Sequence, residues 1–105
     1  MDSEREIYDI KFTEDCKEEI FEIYEYISKK LVARNSAKQL MGKMRDSIMN
    51  LSKFPNIYAK IEKKDIHKRD FRRMVIDNFV ILYTVDGNEK NIYIAHMYYG
   101  KRNYL

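Results

Sequence analysis

Three runs near the end of the chain decide the fold: Phe71–Ile76 (FRRMVI), Phe79–Val85 (FVILYTV) and Asn91–Tyr99 (NIYIAHMYY). They are rich in Val, Ile, Tyr and Phe, the residue types that fill a pleated, half-buried surface. Asp77-Asn78 separates the first two, Asp86-Gly87-Asn88 the last two, and both suit tight reversals. Strands joined so closely predict an antiparallel meander. Upstream, Phe54-Pro55-Asn56 ends whatever precedes it, because the residue before proline is pushed out of the helical region. Between that stop and Phe71, residues 56–69 show no clear period and carry Lys60, Lys63, Lys64, His67, Lys68 and Arg69. They read as a basic surface loop.

Ahead of Pro55 the period changes. Tyr8, Ile10 and Phe12 alternate with Asp9 and Lys11, a short strand with one apolar face. Thr13 is placed to cap a helix, with Glu14 and Asp15 in the first turn, where the helix dipole favours acids. Cys16, Ile20, Ile23, Tyr24, Ile27 and Leu31 follow at helical spacing. Arg34 and Asn35 interrupt the stripe, and Ala37, Leu40, Met41, Met44, Ile48 and Leu51 make a second one. Helices near 13–31 and 34–52 joined by so short a break form an αα-hairpin. The order is β-α-α-β-β-β. It predicts an α+β fold whose hairpin covers one face of a mainly antiparallel sheet through Ile20, Ile27, Leu40 and Ile48. The 105 residues hold no repeat or linker and read as one domain, 1–105.

Charge is unevenly spread. Residues 1–31 carry five basic and ten acidic side chains, residues 32–73 twelve and four, and residues 74–105 three and three, giving balances of −5, +8 and zero. The basic middle could attract a polyanion, or simply form a solvated face. Cys16 is the only cysteine, so an intrachain disulfide and a multi-cysteine metal site are both excluded. It lies on the apolar stripe and reads as a small core residue. No run approaches the roughly 20 apolar residues of a membrane span, and the first twelve residues lack the apolar core of a signal peptide. A cytoplasmic protein without membrane contact is expected.

Several phrases, in order, resemble the RelE/ParE toxin superfamily. They are the Phe54-Pro55 stop after a helix ending Ile48…Leu51, the Phe71-Arg72-Arg73 strand opening, and the run from Asn78 to Asp86. The closing Met97-Tyr98-Tyr99-Gly100-Lys101-Arg102-Asn103-Tyr104 resembles the family's Tyr-Gly-Arg-Arg-Asp-Tyr ending. The resemblance spans about residues 6–105. It implies a RelE-like fold, a growth-arresting toxin of a type II toxin–antitoxin system, and a cognate antitoxin that wraps and blocks it. DNA contact is implied only through that antitoxin. RelE-like members cut messenger RNA in the ribosomal A site, whereas ParE-like members inhibit DNA gyrase, and the fold does not choose between them. A non-toxic protein-interaction domain is the third reading.

RNA cleavage through the 2′-hydroxyl needs a base, cations on the phosphate and an acid for the leaving oxygen, with no metal or cofactor. By resemblance the catalytic candidates are Arg73 beside the phosphate, Arg102 near the end of the last strand, and Tyr104 as orienting or proton-donating phenol. Lys60, Lys63, Lys64, Lys68, Arg72 and Lys101 are the RNA-binding candidates. One departure matters. Where the RNases often read Tyr-Arg-Leu-Val-Tyr, this chain has Phe79-Val80-Ile81-Leu82-Tyr83. Losing a charge that stabilises the transition state costs roughly 10²–10³ in rate, by analogy with an oxyanion donor. Arg72 and Arg73 read equally as edge-strand charges, and His96 in its apolar strand first as a hydrogen-bonded core residue. Tyr98 and Tyr99 should face opposite sides of the sheet. Because Arg73, Arg102 and Tyr104 persist, the endoribonuclease reading stands first and gyrase inhibition second.

Overall fold

At Thr13 the chain turns from strand to helix, and three bonds fix the turn. Its Oγ1 accepts from the Cys16 amide at 3.1 Å, which caps the helix, and donates to the Ala95 carbonyl at 2.9 Å. Its own amide donates to the Ile94 carbonyl at 3.1 Å. The cap therefore pins the first helix to the last strand. The computed structural model describes residues 7–30 and 34–100. In chain order they form β1 (Asp9–Phe12), α1 (Glu14–Lys30), α2 (Arg34–Asn50), β2 (Lys60–Lys64), β3 (Asp70–Ile76), β4 (Phe79–Asp86) and β5 (Asn91–Tyr99). The sheet order is β1-β5-β4-β3-β2, with β1 parallel to β5 and every other pair antiparallel. This is the expected α+β architecture.

Both helical stripes are spent on one sheet face. Cys16, Ile23 and Ile27 from α1 and Ala37, Met44 and Ile48 from α2 meet Met74, Phe79, Ile81, Tyr83, Ile92, Ile94 and Met97. Ile27 and Ile48 are almost wholly buried, each contributing about 1.5–3 kcal/mol at most. Ile20 and Leu40 pack at the margin of this core, and Tyr24 is exposed. α2 ends at Asn50, where the amides of Leu51, Ser52 and Lys53 bond three residues back. The Tyr83 phenol then donates to the Pro55 carbonyl at 2.9 Å, fastening the proline stop to the sheet. Burial pushes that phenol's pKa up to about 12. Among the described residues no helix is long and apolar enough to cross a membrane.

Residues 56–69 are not simply a loop: β2 lies within them, making a fifth strand on the sheet edge. Its pairing explains why no period was visible. Lys60 stands opposite Arg72 and Lys64 opposite Asp70, so the register slips between them and the alternation breaks. Lysines at Lys60, Lys63 and Lys64 suit an edge that must not pair with another sheet. The same strand moves β3 into the interior, so Arg72 and Arg73 are not edge charges. The reversals also differ in detail. Asp77 takes the left-handed conformation in the β3–β4 turn (φ 53°), but after Asp86 it is Lys90 (φ 58°) that does so.

Candidate functional site

The sheet face away from the helices carries a second, smaller apolar cluster. Phe71, Val80 and Leu82 are buried there, with Ile61, Ala95 and Tyr98 packed around them. Register builds it: Val75 lies opposite Val80 and Arg73 opposite Leu82, while Leu82 faces His96 and Val80 faces Tyr98 across β4–β5. β5 bulges at this row, because Tyr83 pairs with Ile94 and Leu82 with His96, leaving Ala95 unopposed. His96 and Tyr98, two apart in β5, share this face with their rings stacked at 5.9 Å. Glu19 of α1 reaches the same edge, where Oε1 accepts from the Met97 amide at 2.9 Å and Oε2 lies 3.1 Å from His96 Nδ1. Glu19 thus caps the edge of β5 that β1, ending at Phe12, leaves open. Burial, with Glu19 and Cys16 nearby, raises the Tyr98 pKa and keeps the phenol neutral.

The candidate cations divide. Arg73 is exposed on the open face and lines a shallow depression with Ile61, Glu62 and Lys63. Arg72 points to the opposite face, where Nη1 donates to the carbonyls of Tyr58 at 2.6 Å and Asn56 at 3.3 Å. Lys60 and Lys64 both converge on Asp70 and hold its carboxyl below the usual carboxylate range, Lys64 first. Lys68 is exposed in the β2–β3 turn with φ 66°. Lys101, Arg102 and Tyr104 lie outside the described residues. The structure therefore puts Arg73 beside Lys63 on the open face, sends Arg72 to the opposite face, and gathers Lys60, Lys63 and Lys64 around a depression that Asp70 also lines.

Two features had no sequence signal strong enough to find. The Glu19–His96 contact joins residues 77 apart, through a helix whose acids all look like solvent face. Arg69, read as one more loop cation, is a clamp: Nε donates to Asp65 Oδ2 at 2.9 Å, Nη1 to Asp86 Oδ2 at 3.3 Å, and the guanidinium lies 4.8 Å from the Tyr93 ring centre. Its spacing of four from Asp65 was the available hint. On the helix side, Phe12, Ile20, Tyr24, Met41 and Ile48 line an apolar groove of about 410 Å³, with Lys38 and Arg45 at its margin.

Chemically, the middle of the open face is a hydrocarbon floor. Val80, where the pattern of the RNases it resembles often has arginine, is 6% exposed, and Leu82 and Phe71 flank it. The cluster is covered by Ile61, Ala95 and Tyr98, so among the described residues no cation stands at the centre of this face to stabilise charge at a phosphate.

No curated protein matches the sequence. Solved structures with a similar fold include the chromosomal ParDE toxin–antitoxin system of P. aeruginosa, with a TM-score of 0.69 and 16% identity over 90% of this chain and 98% of that one. The RelBE2 toxin–antitoxin complex of Mycobacterium tuberculosis gives a TM-score of 0.58 and 13% identity, over 90% and 93% of the two chains. The archaeal RelE–RelB complex of Pyrococcus horikoshii OT3 gives 0.54 and 15%, over 91% and 98%. At these identities the likeness is one of fold. The sequence itself matches the family model of the ParE toxin of type II toxin–antitoxin systems (parDE) over residues 10–104. The chain belongs to the ParE toxin family.

Proposed function

We propose that this toxin arrests growth by binding and inhibiting DNA gyrase, without cutting RNA, and that a cognate antitoxin neutralises it. The observation that carries the reading is the apolar centre of the open face, Phe71, Val80 and Leu82, where a nuclease would need convergent cations. Membership of the ParE family supports the toxin reading, and the toxin–antitoxin complexes among its structural neighbours support a cognate antitoxin. The antitoxin would be the route to DNA, and the ribosome and messenger RNA would not be partners. Induction of the chain alone should stop growth, break DNA and leave messages intact, and Arg73→Ala/Arg102→Ala should change none of this. Messages cut in the ribosomal A site by the wild type, and spared by that double variant, would overturn it.

The ribosome-dependent endoribonuclease is kept as the second reading by the exposed Arg73 beside Lys63, with Glu19 on His96 Nδ1 one strand beyond Leu82. Under it, Val80→Arg should raise message cleavage. Under the gyrase reading the same change only forces a charge into a buried apolar cluster, lowering stability and leaving messages intact.

A further inference from the structure

Among the described residues the most exposed large apolar side chain is Ile66, at 90%, on the turn between β2 and β3. The turn is held firmly. Asp65 Oδ1 accepts from the amides of His67 at 2.8 Å and Arg69 at 2.9 Å, while Oδ2 takes the Arg69 side chain. The backbone closes as well, Asp65 N to Arg69 O and Lys68 N to Asp65 O, both at 2.9 Å. Burial works against the Asp65 charge, yet these bonds outweigh it and hold its pKa below the usual carboxylate value. Through Asp86 and Tyr93, Arg69 extends the clamp to β4 and β5. Lys68 meanwhile keeps a left-handed backbone that non-glycine residues seldom adopt.

A turn fixed this way presents Ile66 in one place, and Ile66 contributes nothing to the core. Fixing an apolar side chain before it meets a partner removes much of the ordering cost of association. The surroundings state what the partner offers. Lys63, His67 and Lys68 are exposed around the tip, Lys64 beside them is paired with Asp70, and Asp65, the acid among residues 63–69, is turned onto Arg69. Ile66 and His67 also rim a depression of about 490 Å³ that Phe71, Thr84 and Ala95 help to line.

We propose that Ile66 is the anchor by which this toxin docks into an apolar pocket, edged by carboxylates, on the protein it inhibits. The inference rests on the reading above that the target is a protein. An isoleucine offers no hydrogen bond to a phosphate or a base edge and gains most from burial in an apolar protein pocket, while the lysines steer the approach to its acidic rim.

The test uses the full chain and four variants: Ile66→Leu, Ile66→Ala, Ile66→Asp and the charge reversal Lys63→Glu/Lys68→Glu. Growth arrest, inhibition of purified gyrase, affinity for the cognate antitoxin and thermal melting are measured for each. Removing a side chain buried at the contact predicts about a tenfold loss of inhibition for Ala, and burying a carboxylate there about a hundredfold or more for Asp. Ile66→Leu should stay within about threefold of wild type. Melting and antitoxin affinity should hold throughout, and the charge reversal should slow association in a salt-dependent way. Full growth arrest by Ile66→Asp overturns the proposal. So does an equal loss of antitoxin affinity, which would make Ile66 part of the neutralising interface. Abolished activity on charge reversal with Ile66→Asp silent points to nucleic acid and overturns it too. If the wild type arrests growth without touching gyrase, the gyrase reading fails, and growth arrest across the Ile66 series still decides the anchor. A wild type that leaves growth untouched overturns both.

Discussion

Arg72 and Arg73 are adjacent in β3, yet alternation sends them to opposite faces with different work to do. The Arg72 guanidinium holds the carbonyls of Tyr58 and Asn56 and so fastens the segment after the proline stop. Arg73 projects from the open face beside Lys63. Arg72→Ala removes two charge-assisted bonds and should cost about 1–3 kcal/mol in urea unfolding. Arg73→Ala should change stability by less than about 0.5 kcal/mol. Equal effects would mean that register does not divide their roles. The sequence shows both as members of one basic run. The period of two tells a reader that they part, but which one faces the helices depends on register with β4, and that is not written locally. Val80 is the opposite case: its departure from the RNase pattern is legible as it stands, and the structure adds the apolar neighbours that fill the space.

At the scale of elements, legibility follows how much of a segment's pattern is set by burial. The helices and the three long strands were readable because each buries a regular face: β4, from Phe79 to Thr84, is buried on both sides. β2 was not readable, because its register slips after Lys60 and Ile61 alone among its residues packs on an apolar cluster. α2 offers a direct test of helix energetics. Gly42 sits in mid-helix on the apolar groove, and an added Cβ would meet Arg45 Nη2 at 3.7 Å, an ordinary contact. Gly42→Ala should therefore raise stability by about 0.5–1 kcal/mol through backbone entropy alone. A lowered melting temperature would show that the groove needs the space. Ile48→Ala, by contrast, opens a cavity between α2 and the sheet and should cost about 2–5 kcal/mol.

For the molecule as a whole, two buried acids set an alkaline limit. Burial, with Glu19 nearby, pushes the Cys16 thiol from 9.0 to about 12, and burial pushes the Tyr83 phenol from 10.0 to about 12. In both the folded pKa lies above the unfolded one, so the folded chain keeps its protons longer. Their contribution is fully present below about pH 9 and is lost as pH rises from there towards 12. Where one group lags, stability falls by about 1.4 kcal/mol per pH unit. Urea midpoints measured from pH 7 to 11 should be flat at first and then fall. Tyr83→Phe should make the fall above pH 10 shallower, Cys16 still contributing, while lowering stability at pH 7 by about 1 kcal/mol, the bond to Pro55 being lost. A flat wild-type profile to pH 11 would show that neither group is screened from water. The parallel seam between β1 and β5 has a consequence in time rather than space. Asp9 to Phe12 pair with Asn91 to Ile94, and the Thr13 cap waits on Ile94 and Ala95. During synthesis the first strand therefore leaves the ribosome long before its mate exists, and the sheet closes only when the last strand emerges. A message broken off before Asn91 therefore yields a chain whose first strand has no mate and whose sheet cannot close.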